Sequence, residues 1–386
     1  MRVPRSAALL LLAALAGAAA PALLPAQTWR SAARSASLTE ENDAFRDSDS
    51  AYTQGLRLMT SRGWFPDKLR QPKRFAASSR LLSTMAWLSP LALHRPQRAA
   101  FGDVRTSCLG FNDFDCASTF LGLSQTQYTP ADIGTDTLIT GDRPYAGLLA
   151  LTAGHTLLLD RSSFRAQLDL GVSGRPSLAR ETQTLAHWTW SPGAARPRGW
   201  QHQLRASPHL QATTQYAITT LTTCDDGEWF CDGWALDNSL RTETSLGTVM
   251  GRLSQGTVVR FGYNMPRLEG SDRITVTAPP LVDRLPARFW FTVYGTADAR
   301  AVGWNTLIEG TRWRDGGARG WWTLNEVSVR RGLAEWSVGG SAGGRWGGAS
   351  LQWVSRSSEY RPYGGRHDYA SFTIFLLRPQ VASGGG

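Results

Sequence analysis

The chain has 386 residues, a formal net charge of +10, 42% apolar residues and 39 glycines. It is too apolar for a disordered chain and too glycine-rich for a helix-dominated enzyme, since each glycine inside a helix costs about 1 kcal/mol. All of its basic residues except Lys68 and Lys73 are arginines, and the length suffices for one large domain or two ordinary ones.

Arg2 and Arg5 precede an Ala/Leu-rich run over residues 7–20, and Leu24-Pro25-Ala26 ends in a small residue before Gln27. This charged, apolar, small-residue order is that of a secretory signal. Residues 1–26 are therefore expected to be a signal peptide and residues 27–386 the exported domain. Loss of the two arginines lowers the formal charge from +10 to +8. Past this segment no run approaches the ~20 apolar residues of a transmembrane helix. An exported chain of that kind is either soluble or a closed barrel in the outer membrane, and composition leaves both open.

Twelve candidate strands follow in chain order. Eight are clear, at 52–60, 120–128, 148–159, 164–172, 258–264, 289–296, 351–355 and 369–377. Four are weaker, at 37–43, 203–218, 236–253 and 323–336. In the last strand Phe372, Ile374 and Leu376 form one face, with Ser371 and Thr373 on the other until Phe375 and Leu377 break the alternation. That pattern suits a wall between lipid and a more polar lumen, and a β-sandwich strand equally. Trp188, Trp190, Trp200, Phe289-Trp290-Phe291, Trp313, Trp321 and Trp322 are candidates for an interfacial girdle. Residues 65–105 are rich in Arg, Pro and Leu without alternation and read as a long loop, with a helical piece around 79–88.

Four cysteines form two local pairs, Cys108/Cys116 and Cys224/Cys231. Export and short spacing favour two small loop disulfides over zinc ligation, which wants tighter spacing.

Three clusters carry candidate chemistry. Glu40-Glu41-Asn42-Asp43, with Asp47, Asp49 and Tyr52-Thr53-Gln54, places many oxygen donors near a strand start. Such donors suit calcium, although a solvated acidic turn is the simpler reading of composition alone. Gly141-Asp142-Arg143-Pro144-Tyr145 is a turn in which Asp142 and Arg143 can pair. Residues 181–186 suit a short helix that would bring Gln183 and His187 onto one face. A neutral histidine there can act as a general base on water, though an isolated histidine is more often a packing residue. No zinc-type histidine pair is present.

In order, Glu41-Asn42-Asp43-Ala44-Phe45, Asp49 with Tyr52-Thr53-Gln54-Gly55, Gln127-Tyr128-Thr129-Pro130, Asp142-Arg143-Pro144-Tyr145-Ala146-Gly147, and Gln183 with His187 before Gly199-Trp200 resemble the outer-membrane lipid A deacylase family. Weaker echoes lie at Asn305-Thr306-Leu307-Ile308-Glu309-Gly310 and Arg356-Ser357-Ser358-Glu359-Tyr360. The resemblance implies an all-β fold, a transmembrane antiparallel barrel of about twelve strands, with a short helix near an active site at the outer-leaflet end. It implies calcium-dependent hydrolysis of the 3′-linked acyl chain of lipid A, with His187 as the base, Asn42 and Asp43 at the metal, and Thr53 as a supporting hydroxyl. Gln183, Arg143 and Glu181 are the candidate substrate or support residues. The implied partners are lipid A or lipopolysaccharide and the outer membrane, not nucleic acid, and the oligomeric state stays open. Arginine excess fits a phosphate-bearing partner. One departure matters: the family carries a carboxylate shortly after the histidine, and here residues 191–198 hold none. Glu181 would substitute only if the local backbone curled back. A barrel that has lost hydrolysis and serves as a lipopolysaccharide-binding or structural protein is the alternative.

Overall fold

The computed structural model describes residues 31–43, 52–64, 117–159, 162–189, 195–224, 231, 233–266, 289–311, 325–344 and 346–379. The signal-peptide segment, the loop at 65–105, Asp47, Asp49, the Cys108/Cys116 pair and Trp190, Trp313, Trp321 and Trp322 lie outside the described residues.

The strands are β1 (Ser31–Asn42), β2 (Gln54–Trp64), β3 (Ala117–Tyr128), β4 (Ala146–Leu159), β5 (Ser162–Ser173), β6 (Ser207–Thr222) and β7 (Trp234–Gly247). They continue as β8 (Met250–Tyr263), β9 (Trp290–Asn305), the short β10 (Ser328–Val329), β11 (Gly332–Gly344), β12 (Gly347–Arg356), the short β13 (Tyr360–Arg361) and β14 (His367–Pro379). Twelve of them close a barrel in which each pairs with its neighbour along the chain and β14 returns to β1. Every pairing is antiparallel, and β10 and β13 form a separate ribbon at the rim. Closure removes the sheet edges, the condition for crossing a bilayer with strands. Among the described residues, two α-helices lie at the end of the barrel opposite the strand ends at Ser31 and Pro379, α1 (Ala179–Thr189) and α2 (Thr306–Glu309).

Polarity is inverted relative to a soluble fold. Leu38, Leu58, Leu121, Leu151, Leu170, Leu253 and Leu351 are exposed on the outer wall. Thr39, Arg57, Thr152, Arg241, Glu243, Asp298, Arg300 and Glu335 are buried inside. On β14 the outward residues are Phe372, Ile374 and Leu376, while Ser371, Thr373 and Phe375 are buried. Phe375 does not break the pattern, because it keeps to the lumen face and stacks on Trp290 at 6.2 Å.

Arginine–carboxylate pairs fill much of the lumen. Arg241 binds Asp298, Arg252 binds Glu243, Arg260 binds Asp237, and Glu335 accepts from both Arg300 and Arg356 at 2.6 Å. Five arginines are thus paired inside, where the planar guanidinium suits carboxylate partners. A small cavity of about 100 Å³ remains, with Arg57, Asp169, His209, Gln211 and Arg252 in its wall.

Strand bounds differ from the sequence expectation in several places; the described part of 323–336, for one, holds the short β10 and the start of β11 rather than one strand. Residues 236–253 hold the end of one strand and the start of the next, split at Thr248-Val249. The glycine run Gly339-Gly340-Ser341-Ala342-Gly343-Gly344 is strand β11, paired with β9 and β12 through its length. Of the proposed girdle, Trp200 and Trp290 are buried, while Trp188 is exposed on α1. The exterior aromatics that cluster are Trp234, Phe261, Tyr263, Phe289 and Phe291 near the terminus-bearing end. Cys224 and Cys231 form the local disulfide expected of them, at that same end.

Candidate active site

At the helix-bearing end the outer wall of β1–β4 changes character. Asn42 lies opposite Gln54, Gln54 opposite Gln127, and Gln127 opposite Gly147. These four share one outward row, since residues two apart on a strand face the same way and Leu38, Leu56, Leu58 and Leu121 on the same parity are exposed. One row lower, Glu40 faces Leu56 and Leu56 faces Gln125. Polar side chains therefore stand where lipid-facing residues are expected.

Helix α1 lies over this patch. A Cβ on Gly147 would come 2.3 Å from both Ala179 Cβ and Ser177 Oγ, so the missing side chain lets the helix start seat directly on β4. Gln125 Nε2 donates to Ser177 O at 2.6 Å, Gln127 Nε2 to Thr182 Oγ1 at 2.5 Å, and Thr182 Oγ1 to Gln125 Oε1 at 2.8 Å. Gln183 is buried and accepts from Trp200 Nε1 at 2.7 Å, while Trp200 packs on Tyr145 with ring centroids 5.0 Å apart. Gly199 sits against that tyrosine, where a Cβ would come 2.5 Å from the ring.

The helix crosses the wall. Ala179 rests on β4 and Thr182 on β3. Three helical residues rise about 4.5 Å, close to one strand spacing. Gln183 and His187 lie on one helical stripe, as their spacing predicts, and His187 is half-buried. Glu181 is exposed. Six residues along a continuous helix separate it from His187 by about 9 Å and roughly 120° around the axis, so the curled backbone that would bring it to the imidazole is not formed.

Thr53 is buried, its hydroxyl 2.6 Å from Thr129 Oγ1 and its N–H donating to Gln127 O at 3.1 Å. Asp43, at the bend ending β1, is buried as well. Tyr52 donates to Glu41 Oε2 at 2.6 Å and packs on Tyr128 and Tyr369 at 5.3 and 5.0 Å. Burial and the Glu41 carboxylate push the Tyr52 hydroxyl well above its usual range, so it stays a donor. This contact ties β1 to the start of β2, the two places that carry Asn42, Asp43 and Thr53.

Arg143 is placed elsewhere. Its guanidinium sits 4.2 Å over the Tyr128 ring and 3.5 Å from Glu359 Oε2, on the lumen side of the rim. Asp142 takes the backbone N–H groups of Arg143 and Ala131, both at 2.7 Å, and the Tyr360 hydroxyl instead of the neighbouring guanidinium. Arg143 is a rim support that does not enter the helix–wall cleft. Burial alone would raise the Glu359 carboxyl, but Arg356 and Arg143 overcome it and hold the group down to about 2.

Among the described residues no group of three or more His, Cys, Asp or Glu side chains is assembled for a metal. The donors at the head of β1 are all oxygens, from Asn42, Asp43 and Thr53, a set that fits a hard cation rather than zinc. Sequence reasoning gave no role to Gln125, Gln127, Thr129 or Thr182. The available signal was two glutamines alternating with Thr126 in a strand whose outward positions are otherwise leucine-rich.

The family model for "Outer membrane protein LpxR" matches residues 9–377. LpxR from Salmonella typhimurium superposes with a TM-score of 0.63 at 18% identity, covering 89% of this chain and 99% of that one. The KdgM porin, in complex with disordered oligogalacturonate, gives a TM-score of 0.31 at 6% identity over 90% of this chain and 99% of its own. No curated protein matches the chain by sequence. With a closed twelve-stranded barrel and a family model matching nearly its whole length, the chain belongs to the LpxR family of outer membrane proteins, the lipid A deacylase family that its ordered motifs resemble.

Proposed function

We propose that this protein hydrolyses the 3′-linked acyl ester of lipid A in the outer membrane, with calcium as cofactor and His187 activating water. The observation that carries the reading is the position of α1. The helix lies on the lipid-facing side of the wall, bonded through Thr182 to Gln127 of the row that ends in Asn42, and it carries Gln183 and His187 on one stripe. A substrate whose acyl chains remain in the bilayer can reach that cleft sideways, without entering the lumen.

His187 takes a proton from water as the water oxygen attacks the ester carbonyl carbon. When the carbon–oxygen bond to the sugar breaks, the same imidazole returns the proton to the departing 3′ oxygen, leaving a fatty acid and a free hydroxyl. Asn42 and Asp43 would hold calcium, which supplies polarisation of the carbonyl and charge for the oxyanion. Thr53, fixed by Thr129, shapes the base of the cleft. Gln183, fixed by Trp200, holds the helix that carries the base.

A second reading is a barrel that binds lipopolysaccharide without hydrolysing it. It is favoured by the absence of any Asp or Glu from residue 182 to residue 224 and by the outward turn of Glu181. Incubating the refolded chain with lipid A in detergent, with calcium or with chelator, and weighing the lipid by mass spectrometry separates the two. Calcium-dependent loss of the 3′-linked acyl group is the expected result. Intact lipid A in both tubes, from a folded barrel, establishes the second reading.

A further inference from the structure

We propose that Glu40, with Asn42 and Gln54, forms a divalent-cation site on the outer wall of the barrel, with Glu40 as its carboxylate. This rests on the calcium-dependent reading above and adds a ligand to it.

Glu40 and Asn42 lie two apart on β1 and so face outward together, and Gln54 is directly opposite Asn42. Cα atoms two apart on a strand are separated by about 6.8 Å, and opposed residues by about 4.5–5.5 Å. Both separations are bridged by side chains of this length around an ion whose oxygen ligands sit at about 2.3–2.6 Å. Among the outward positions of β1–β3 at this end, Glu40, Asn42, Gln54, Gln125 and Gln127, Glu40 is the one acid. It is half-buried and makes no hydrogen bond or ion pair with any described residue. The lumenal acids Asp237, Glu243, Asp298 and Glu335 each hold an arginine. A carboxylate on a lipid-facing wall without a counter-charge is costly, and such groups mark functional sites.

Gln127 points to a ligand independently. It is 2% exposed, its Nε2 is engaged by Gln125 and Thr182, and its Oε1 has no partner among the described residues. A buried acceptor left so costs about 1–3 kcal/mol. It stands in the row of Asn42 and Gln54, where a cation bound to those side chains is within its reach. One carboxylate and several amide oxygens, with neither nitrogen nor sulfur, is the donor chemistry of a hard divalent ion.

Calcium titration by calorimetry on the refolded full chain in detergent tests this. Barrel formation is checked by heat-shifted gel mobility, and Glu181→Gln, on the exposed face of α1, serves as the charge control. Glu40→Gln is expected to weaken calcium binding at least tenfold and Gln54→Ala several-fold, while Glu181→Gln binds like the parent. Parent-like calcium affinity in a folded Glu40→Gln barrel overturns the assignment. So does a Glu40→Gln variant that loses turnover with unchanged calcium affinity, which makes Glu40 a partner of the histidine. A parent chain that deacylates lipid A without binding calcium overturns this inference and leaves the hydrolase reading standing. A parent that binds calcium through Glu40 without deacylating does the reverse.

Discussion

The lumen and the outer patch under α1 are both polar surfaces in a membrane protein, but they are polar in different ways. Inside, Arg241, Arg252, Arg260, Arg300 and Arg356 each close on a carboxylate. Outside, Asn42, Gln54 and Gln127 line up on a face that is otherwise leucine, beside Glu40, which has no partner among the described residues, and Gln127 lies under the helix that carries His187. Charges satisfied among themselves build the wall and leave little to offer a ligand. Polar groups placed where lipid should be, on the face that a membrane-held substrate can reach, are the ones available for chemistry.

The contrast breaks most sharply at His187. His187→Ala is expected to lower deacylation by about 10³-fold, within the range a general base contributes. The folded barrel, its heat-shifted mobility and its lumen should be untouched. Mass spectrometry of lipid A after prolonged incubation reads the residual activity. Product at the parent rate would mean that the base lies elsewhere.

The converse change is Glu335→Ala. Glu335 is fully buried and accepts from Arg300 and Arg356, so its loss takes a carboxylate from Arg300 and leaves Arg356 with Glu359. Removing one partner of a buried ion pair costs about 3–5 kcal/mol. Urea titration in detergent should show that loss, while the fraction that stays folded keeps its turnover. Reduced turnover in fully folded protein would show that lumen and patch are coupled.

How much of this was legible in the sequence follows from the same contrast. The barrel was readable because period-2 alternation is a local signal, plain in Phe372, Ile374 and Leu376. Strand β11 was not, because its glycines carry no side chains to alternate and its pairing with β9 and β12 is set by neighbours remote in sequence. His187 and Gln183 were legible from helical spacing together with a family resemblance. Gln127 was visible only as part of a motif, because its burial depends on a helix more than fifty residues later, which covers it through Thr182. Arg143 was misassigned to its sequence neighbour Asp142. Its true partner, Glu359, lies 216 residues away, and no local pattern announces it.

Gly147 links the two regions more gently, since one face of β4 seats α1 and the other lines the lumen. Gly147→Ala places a methyl 2.3 Å from Ala179 Cβ and Ser177 Oγ. The backbone of β4 cannot yield without disturbing its pairing with β3, so the helix start must lift. Turnover is expected to fall about tenfold, the scale on which misplacement of a catalytic group by a fraction of an ångström acts. Unfolding by urea should shift little. Unchanged turnover would mean that α1 finds its place without this seat.

The mildest effect is expected at the rim. Glu359, in the turn after β12, is held down to about 2 from an unfolded value of 4.5, because Arg356 and Arg143 outweigh the cost of its burial. A carboxyl whose folded value is depressed adds stability that is complete above its unfolded value and disappears as pH falls through the folded one. The parent should therefore exceed Glu359→Gln in thermal stability by a constant margin from pH 8 to about pH 5. That margin should shrink below about 4.5 and close near 2. Melting curves in detergent across this range read the margin directly. A margin that closes near pH 6 instead would assign the effect to a histidine and remove Glu359 from the pairs that brace the rim.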